Sequence, residues 1–193
     1  KANTLASLKP HLEKSLIEEL FIFTQSHWEN SSKDILREIS RKFKGKVVVR
    51  SSSRVEDSYF SSYAGFFHSE LNINPQNQKQ LKDSISRVIL SYKKHKNRSG
   101  KDQILVQSQT QNVAISGVVF TRNIQNNSPY YFINYDTSSS TESVTSGMVA
   151  KKLEILKNIE INTLLPPWKS LIKSIQEIEK MLHNLALDIE FAI

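Results

Sequence analysis

At 193 residues, 38% hydrophobic and 23% charged, the chain can bury one domain-sized core or two small lobes, and it is too apolar for a disordered chain. It has no cysteine, which excludes disulfides and thiolate metal sites and fits a reducing compartment, so the expected location is cytoplasmic. The longest apolar runs are about four to six residues, far short of a membrane span, and the opening Lys-Ala-Asn-Thr-Leu-Ala-Ser-Leu has no apolar signal region.

In chain order, residues 4–20 place Leu5, Leu8, Leu12, Leu16, Ile17 and Leu20 at helical spacing, with Pro10 suited to a helix start. A second helix is expected over 32–43 through Ile35, Leu36, Ile39 and Phe43, ended by Gly45. Lys46-Val47-Val48-Val49-Arg50 is too short and too β-branched for a helix and predicts a strand running into Ser51–Asp57 and the small-residue loop 61–65. A returning strand is expected over 66–73, then a helix over 77–96. The second half predicts strands at Ile104–Gln107, Gly117–Thr121 and Tyr130–Asn134, a Ser/Thr tract at 137–146 and a mixed segment at 148–161. After Pro166 and Pro167 comes an amphipathic helix through Leu171, Ile172, Ile175, Ile178 and Leu182, and the final run 187–193 alternates with period two. Strands on short links, without regular strand–helix–strand units, predict an α+β architecture with mostly antiparallel sheets and packed helices.

The net charge of +7 asks for an anionic partner. Its one cluster, Lys93, Lys94, His95, Lys96 and Arg98, ends the third helical pattern, where cations complement the C-terminal dipole; a nucleic-acid patch is the alternative reading. Asp188 and Glu190 stand two apart in a strand, so both carboxylates share a face, either as a pair able to hold Mg²⁺ with substrate phosphates or as a solvated edge. Arg50 ends a strand and can grip phosphate oxygens, with Ser51–Ser53, Ser61, Ser62 and Gly65 supplying donors and close backbone approach; otherwise this is a polar turn with Arg50 paired to Glu56 or Asp57. Arg122 again stands at a strand mouth, and Glu142 in the Ser/Thr tract can meet ribose hydroxyls or metal, unless both are surface residues. No G-x-x-x-x-G-K-[ST] loop occurs, and His11, His27, His68, His95 and His183 show no ligand spacing.

Five of these segments resemble one family. VVVRSSSRVEDSYFSSYAG, from Val47, resembles the VRSSA-x-x-ED-x-x-x-x-SFAG signature of phosphoenolpyruvate synthases and pyruvate phosphate dikinases. KANTLASL is similar to their KGANLAEL, ILVQ at 104–107 and SGVVFTRN at 116–123 to their ILVQ and SGVLFTRNP, and LDIEFA at 187–192 to their DIEWA strand. The resemblance implies an ATP-grasp fold with ATP held between an N-terminal lobe, 1–100, and a C-terminal lobe, 101–193, incomplete in this chain. It implies that Lys1, Arg50 and Arg122 contact phosphates, that the loop holding Ser62 and Gly65 closes over them, that the backbone at Gln107 meets adenine, and that Asp188 and Glu190 hold Mg²⁺. The implied reaction moves phosphate from ATP to a histidine on a swivelling domain of the same full-length chain, giving AMP. A small acceptor then takes the group: pyruvate, or another metabolite such as the glutamine amide. Relatives carry a WGLGE-x-x-V-x-G stretch where this chain has YDTSSSTESVTSG at 135–147, aligning Glu142 and Gly147 but replacing the flexible glycines. The Q-x-R element and a T-x-x-H phosphohistidine segment are absent, and the chain opens on Lys1 without methionine, so it is expected to be a piece truncated at both ends. Nucleic acid and membrane are not expected partners. The rival readings are a basic nucleic-acid module and a degenerate, non-catalytic ATP-grasp scaffold.

Overall fold

A computed structural model describes residues 1–52, 69–92, 101–123, 125–137 and 151–193. The predicted sites Ser62, Gly65 and Glu142 and the basic run 93–98 lie outside the described residues. The chain divides into two compact units: Lys1–Ser7 with Ile17–Gln109, and Leu8–Leu16 with Thr110–Ile193.

The first unit is built on four antiparallel strands, β1 (Leu20–Thr24), β2 (Val47–Ser52), β3 (Ser69–Ile73) and β4 (Gln103–Ser108), in the order β1-β4-β2-β3. Alternation decides what each face meets. Phe23, Val47, Val49, Ile73, Ile104 and Val106 point to one face and form a core with Trp28, Ile35, Leu36 and Ile39 of helix α2 (Gln25–Lys42) and Leu81, Ile85, Val88, Ile89 and Tyr92 of helix α3 (Gln78–Tyr92). Ile39, Leu81 and Ile85 are completely buried, so truncating any of them to alanine costs roughly 2–5 kcal/mol. The opposite face carries a smaller cluster, Ala2, Leu20 and Leu105, with Leu5, Ile17 and Ile22 packed on it. Ala2 belongs to the short helix α1 (Ala2–Leu8).

The second unit repeats the plan with one α-helix among its described residues. Strands β5 (Ser116–Phe120), β6 (Tyr130–Asp136), β7 (Lys151–Leu156) and β8 (Asp188–Ala192) pair antiparallel in the order β7-β6-β5-β8. Val119, Tyr131, Ile133 and Ile155 pack on Leu171, Ile172 and Ile175 of helix α4 (Trp168–Leu182), with Ile189 and Phe191 at the margin. His183, at φ 47°, closes α4 in the left-handed conformation, its N–H reaching back to the Glu179 and Lys180 carbonyls. No described helix is long and apolar enough to cross a membrane.

The α+β architecture with antiparallel sheets and packed helices is as expected. Three local expectations are corrected. The helix over 4–20 stops at Leu8, because a proline disfavours the helical conformation in the residue before it, here Lys9. Leu20-Phe21-Ile22-Phe23-Thr24 is a strand, and its apolar residues do not continue a helical stripe. The next helix starts at Gln25, seven residues before the expected 32, capped by the Thr24 hydroxyl, which accepts from the His27 N–H at 3.1 Å. It kinks at Ser31 (φ −141°, ψ 33°), which hides the first turns from a single helical period.

Candidate functional site

In the first unit, cross-strand pairing sorts the predicted residues onto one sheet face. Arg50 stands opposite Leu105 on one side and Ser69 on the other, and Gln107 stands opposite Leu20 and Val48. Since Leu105 and Leu20 belong to the face that Ala2 covers, Arg50, Ser52 and Gln107 share that face, while Val47, Val49 and Ser51 point to the α2–α3 core. Lys1 is drawn to the same place through the backbone. The Ala2 N–H donates to the buried Ser52 hydroxyl at 2.9 Å, and the Lys1 carbonyl accepts from Leu5 to start α1. Lys1, Arg50 and Gln107 are all half-buried.

The mouth of β2 is fixed from the other face by Tyr92. Its phenol accepts from the Ser52 N–H at 3.0 Å and donates to the Gln103 carbonyl at 2.5 Å, so one hydroxyl holds the ends of β2 and β4 together two residues beyond Arg50. The sequence placed Tyr92 only within the helix expected over 77–96. Its partner at Gln103 is 11 residues away and its partner at Ser52 is 40 away, pairings that periodicity cannot reveal.

In the second unit, Asp188 and Glu190 are exposed on the edge strand β8, on the face opposite α4. Asp188 opposes Phe120, and Glu190 opposes Val118. Continuing across the sheet, the first row runs through Phe132 to Glu154 and the second through Asn134 to Lys152. The i, i+2 expectation for the two carboxylates therefore matches the observed faces. Among the described residues no group of three or more His, Asp or Glu side chains is arranged to hold a metal ion. Two carboxylates that share a face are hard oxygen donors that fit Mg²⁺ when substrate oxygens and water complete its shell.

Arg122 stands two residues past the end of β5, and its Nη1 donates to the Asn127 carbonyl at 2.9 Å. The loop it joins is organised by Asn123, whose side-chain oxygen accepts from the N–H groups of Gln125 and Asn126 at 2.8 and 3.2 Å. Between β5 and Arg122 sits Thr121, fully buried and bonded to the segment that leads into Asp188.

The second unit also holds a cleft of about 510 Å³ lined by Tyr131, Lys157, Glu179, His183 and Leu185, among others. Its polar groups satisfy each other. Glu179 is 5% exposed and accepts from the Tyr131 hydroxyl at 2.9 Å and from the Lys157 ammonium, which also lies 4.8 Å from the centre of the Tyr131 ring. Burial, reinforced by the bond to Glu179, pushes the Tyr131 phenol well above its ordinary pKa, so it stays protonated and donates. The arrangement is a structural brace that no short-range sequence signal announces, joining β6, the end of β7 and α4.

The family model for the AMP/ATP-binding domain of pyruvate phosphate dikinase matches residues 14–156. The chain belongs to this family. No curated protein sequence matches it. The pyruvate phosphate dikinase match spans Arg50, Gln107 and Arg122 as well as Ser62, Gly65 and Glu142; Lys1, Asp188 and Glu190 fall outside it. The chain is thus an ATP/AMP-binding domain of a dikinase-like enzyme, and the family is one of phosphotransferases.

Proposed function

We propose that this domain binds ATP together with Mg²⁺ and supplies the nucleotide site for phosphorylating a histidine on a swivelling domain of the same full-length, cytoplasmic protein. ATP then leaves as AMP plus phosphate, and the phosphoryl group passes to a small acceptor such as pyruvate, another metabolite or the glutamine amide. Lys1, Arg50 and Arg122 contact the phosphates, Ser62 and Gly65 cover them, the backbone at Gln107 meets adenine, and Glu142 meets ribose hydroxyls. Asp188 and Glu190 hold the magnesium, which when bound neutralises phosphate charge.

The physical task is charge neutralisation and positioning of a polyphosphate, with little covalent chemistry for the protein to perform. Guanidinium groups suit it because their planar fork meets two phosphate oxygens at once and stays charged at any working pH. The observation that carries the reading is the family match over residues 14–156, within which Arg50 and Gln107 share one sheet face. Calorimetric titration of ATP with Mg²⁺ into the wild-type chain and Arg50→Ala tests it. Removing a charge-assisted phosphate contact weakens binding by about 10- to 100-fold, from roughly 1.5–3 kcal/mol. Equal heats from both proteins would remove Arg50 from the site.

A further inference from the structure

We propose that Thr121 is a positioning residue: its buried hydroxyl holds the 185–187 segment against the end of β5 and so fixes Asp188 relative to Arg122. The inference rests on the nucleotide reading above, because its importance lies in the two groups it joins.

Three hydrogen bonds carry it. The Thr121 N–H donates to the Leu187 carbonyl at 2.9 Å, the Thr121 hydroxyl donates to the Leu185 carbonyl at 2.8 Å, and the Leu187 N–H donates to the same hydroxyl at 2.8 Å. Thr121 is completely buried, so water cannot replace these bonds. A hydroxyl gives and accepts at once, which valine of the same shape cannot do. Arg122 is the next residue after Thr121, and Asp188 the next after Leu187. One side chain therefore sets the peptide units on which both groups are mounted.

The ladder alone does not secure this junction. The β5–β8 pairing ends at Phe120 and Asp188, and β8 is the edge strand, held by β5 on one side. A one-residue slip there would turn Asp188 and Glu190 toward α4 and bring Ile189 and Phe191 to the open face. Thr121 extends the pairing past the last ladder pair, where an edge strand would otherwise fray. The turn leading into β8 is braced on its other side as well. Asn184 Oδ1 accepts from the Ala186 N–H at 2.9 Å, and Lys157, held by Glu179, donates to the Leu185 carbonyl at 3.3 Å. Leu185 thus receives Thr121 and Lys157 on one oxygen, and the brace in the cleft becomes part of the same support.

The test compares Thr121→Val and Thr121→Ser with the wild-type chain by calorimetric titration of ATP, once with excess Mg²⁺ and once with EDTA. Thr121→Val is expected to lose at least tenfold in affinity with Mg²⁺ and to change little in EDTA, while Thr121→Ser stays within about threefold of wild type. A loss of stability alone would lower both affinities together and would not alter their ratio. Thr121→Val binding Mg²⁺ and ATP like wild type would overturn the proposal, as would Thr121→Ser falling as far as Thr121→Val. Should Thr121→Val fail to fold, amide exchange on the wild type decides. The Leu187 amide should gain protection with Mg²⁺ and ATP, and unchanged exchange would overturn the proposal. If the wild type itself shows no affinity for ATP, the nucleotide reading fails first and takes this inference with it.

Discussion

Gly117→Ala should be disproportionately harmful for so small a change. A Cβ at Gly117 would lie 2.3 Å from the Asn134 carbonyl oxygen and 2.7 and 2.8 Å from two carbons of the Phe191 ring. Ordinary carbon–oxygen contacts across a sheet lie near 3.3–3.6 Å, so the shortfall is about 1 Å. The obstacle is backbone as well as side chain: Gly117 pairs with Tyr135 on β6 and with Phe191 on β8, and both neighbours must move. Overpacking of this kind costs about 1–3 kcal/mol, and the rigid carbonyl argues for the upper half of that range. For a chain of this size each kcal/mol shifts the melting temperature by roughly 2–4 °C, so a fall of about 4–12 °C is expected. Circular dichroism followed through thermal unfolding measures it. Because Phe191 follows Glu190, the displaced ring should also weaken Mg²⁺-dependent ATP binding. A melting temperature within about 1 °C of wild type would refute the packing argument, since it would mean that β8 moves aside at almost no cost.

Four further substitutions probe the supports. Lys157→Met leaves the Glu179 carboxylate buried without its cation and should cost about 3–5 kcal/mol in denaturant unfolding; adding Glu179→Leu to it should recover most of that loss. Tyr131→Phe should cost about 1–2 kcal/mol at neutral pH. The Tyr131 pKa is raised in the folded protein, so its contribution is complete below the ordinary value of 10.0 and is lost as pH climbs above it; Tyr131→Phe should remove that part of the alkaline loss. Tyr92→Phe strips the Ser52 N–H and Gln103 carbonyl of their shared partner and should destabilise the first unit by about 1–3 kcal/mol, with amide exchange rising first at Ser52.

What could be read in the sequence follows the range of the interaction responsible. The valine run at 47–49 and the alternation from Asp188 to Phe191 are local, and both appear as strands, the second with its two carboxylates on one face as expected. The LFIFT strand was hidden because its leucine also fits a helical spacing begun at Leu5, and only Pro10 signals the break. The placement of Arg50 in a strand was legible from composition, although that strand runs on through Ser51 to Ser52 instead of ending at Arg50. Its face-sharing with Gln107 was not, since that depends on pairing β2 with β4. Thr121, Gly117 and the Tyr131–Lys157–Glu179 brace stayed unread for the same reason. Their partners lie 17 to 74 residues away, as in Gly117 with Asn134 and with Phe191, and nothing in a local window distinguishes them from ordinary strand and helix residues. The family match adds support where the quoted segments fall between residues 14 and 156, and leaves Lys1 and the acidic strand to be tested directly.

That test is a calorimetric titration of ATP into the 193-residue chain with and without Mg²⁺, repeated on Asp188→Asn with Glu190→Gln. The wild type should bind ATP more tightly with Mg²⁺, and the double variant should lose this magnesium dependence while keeping its fold. Wild-type binding that ignores magnesium, or a double variant that responds to it as the wild type does, would contradict the assignment of magnesium to Asp188 and Glu190.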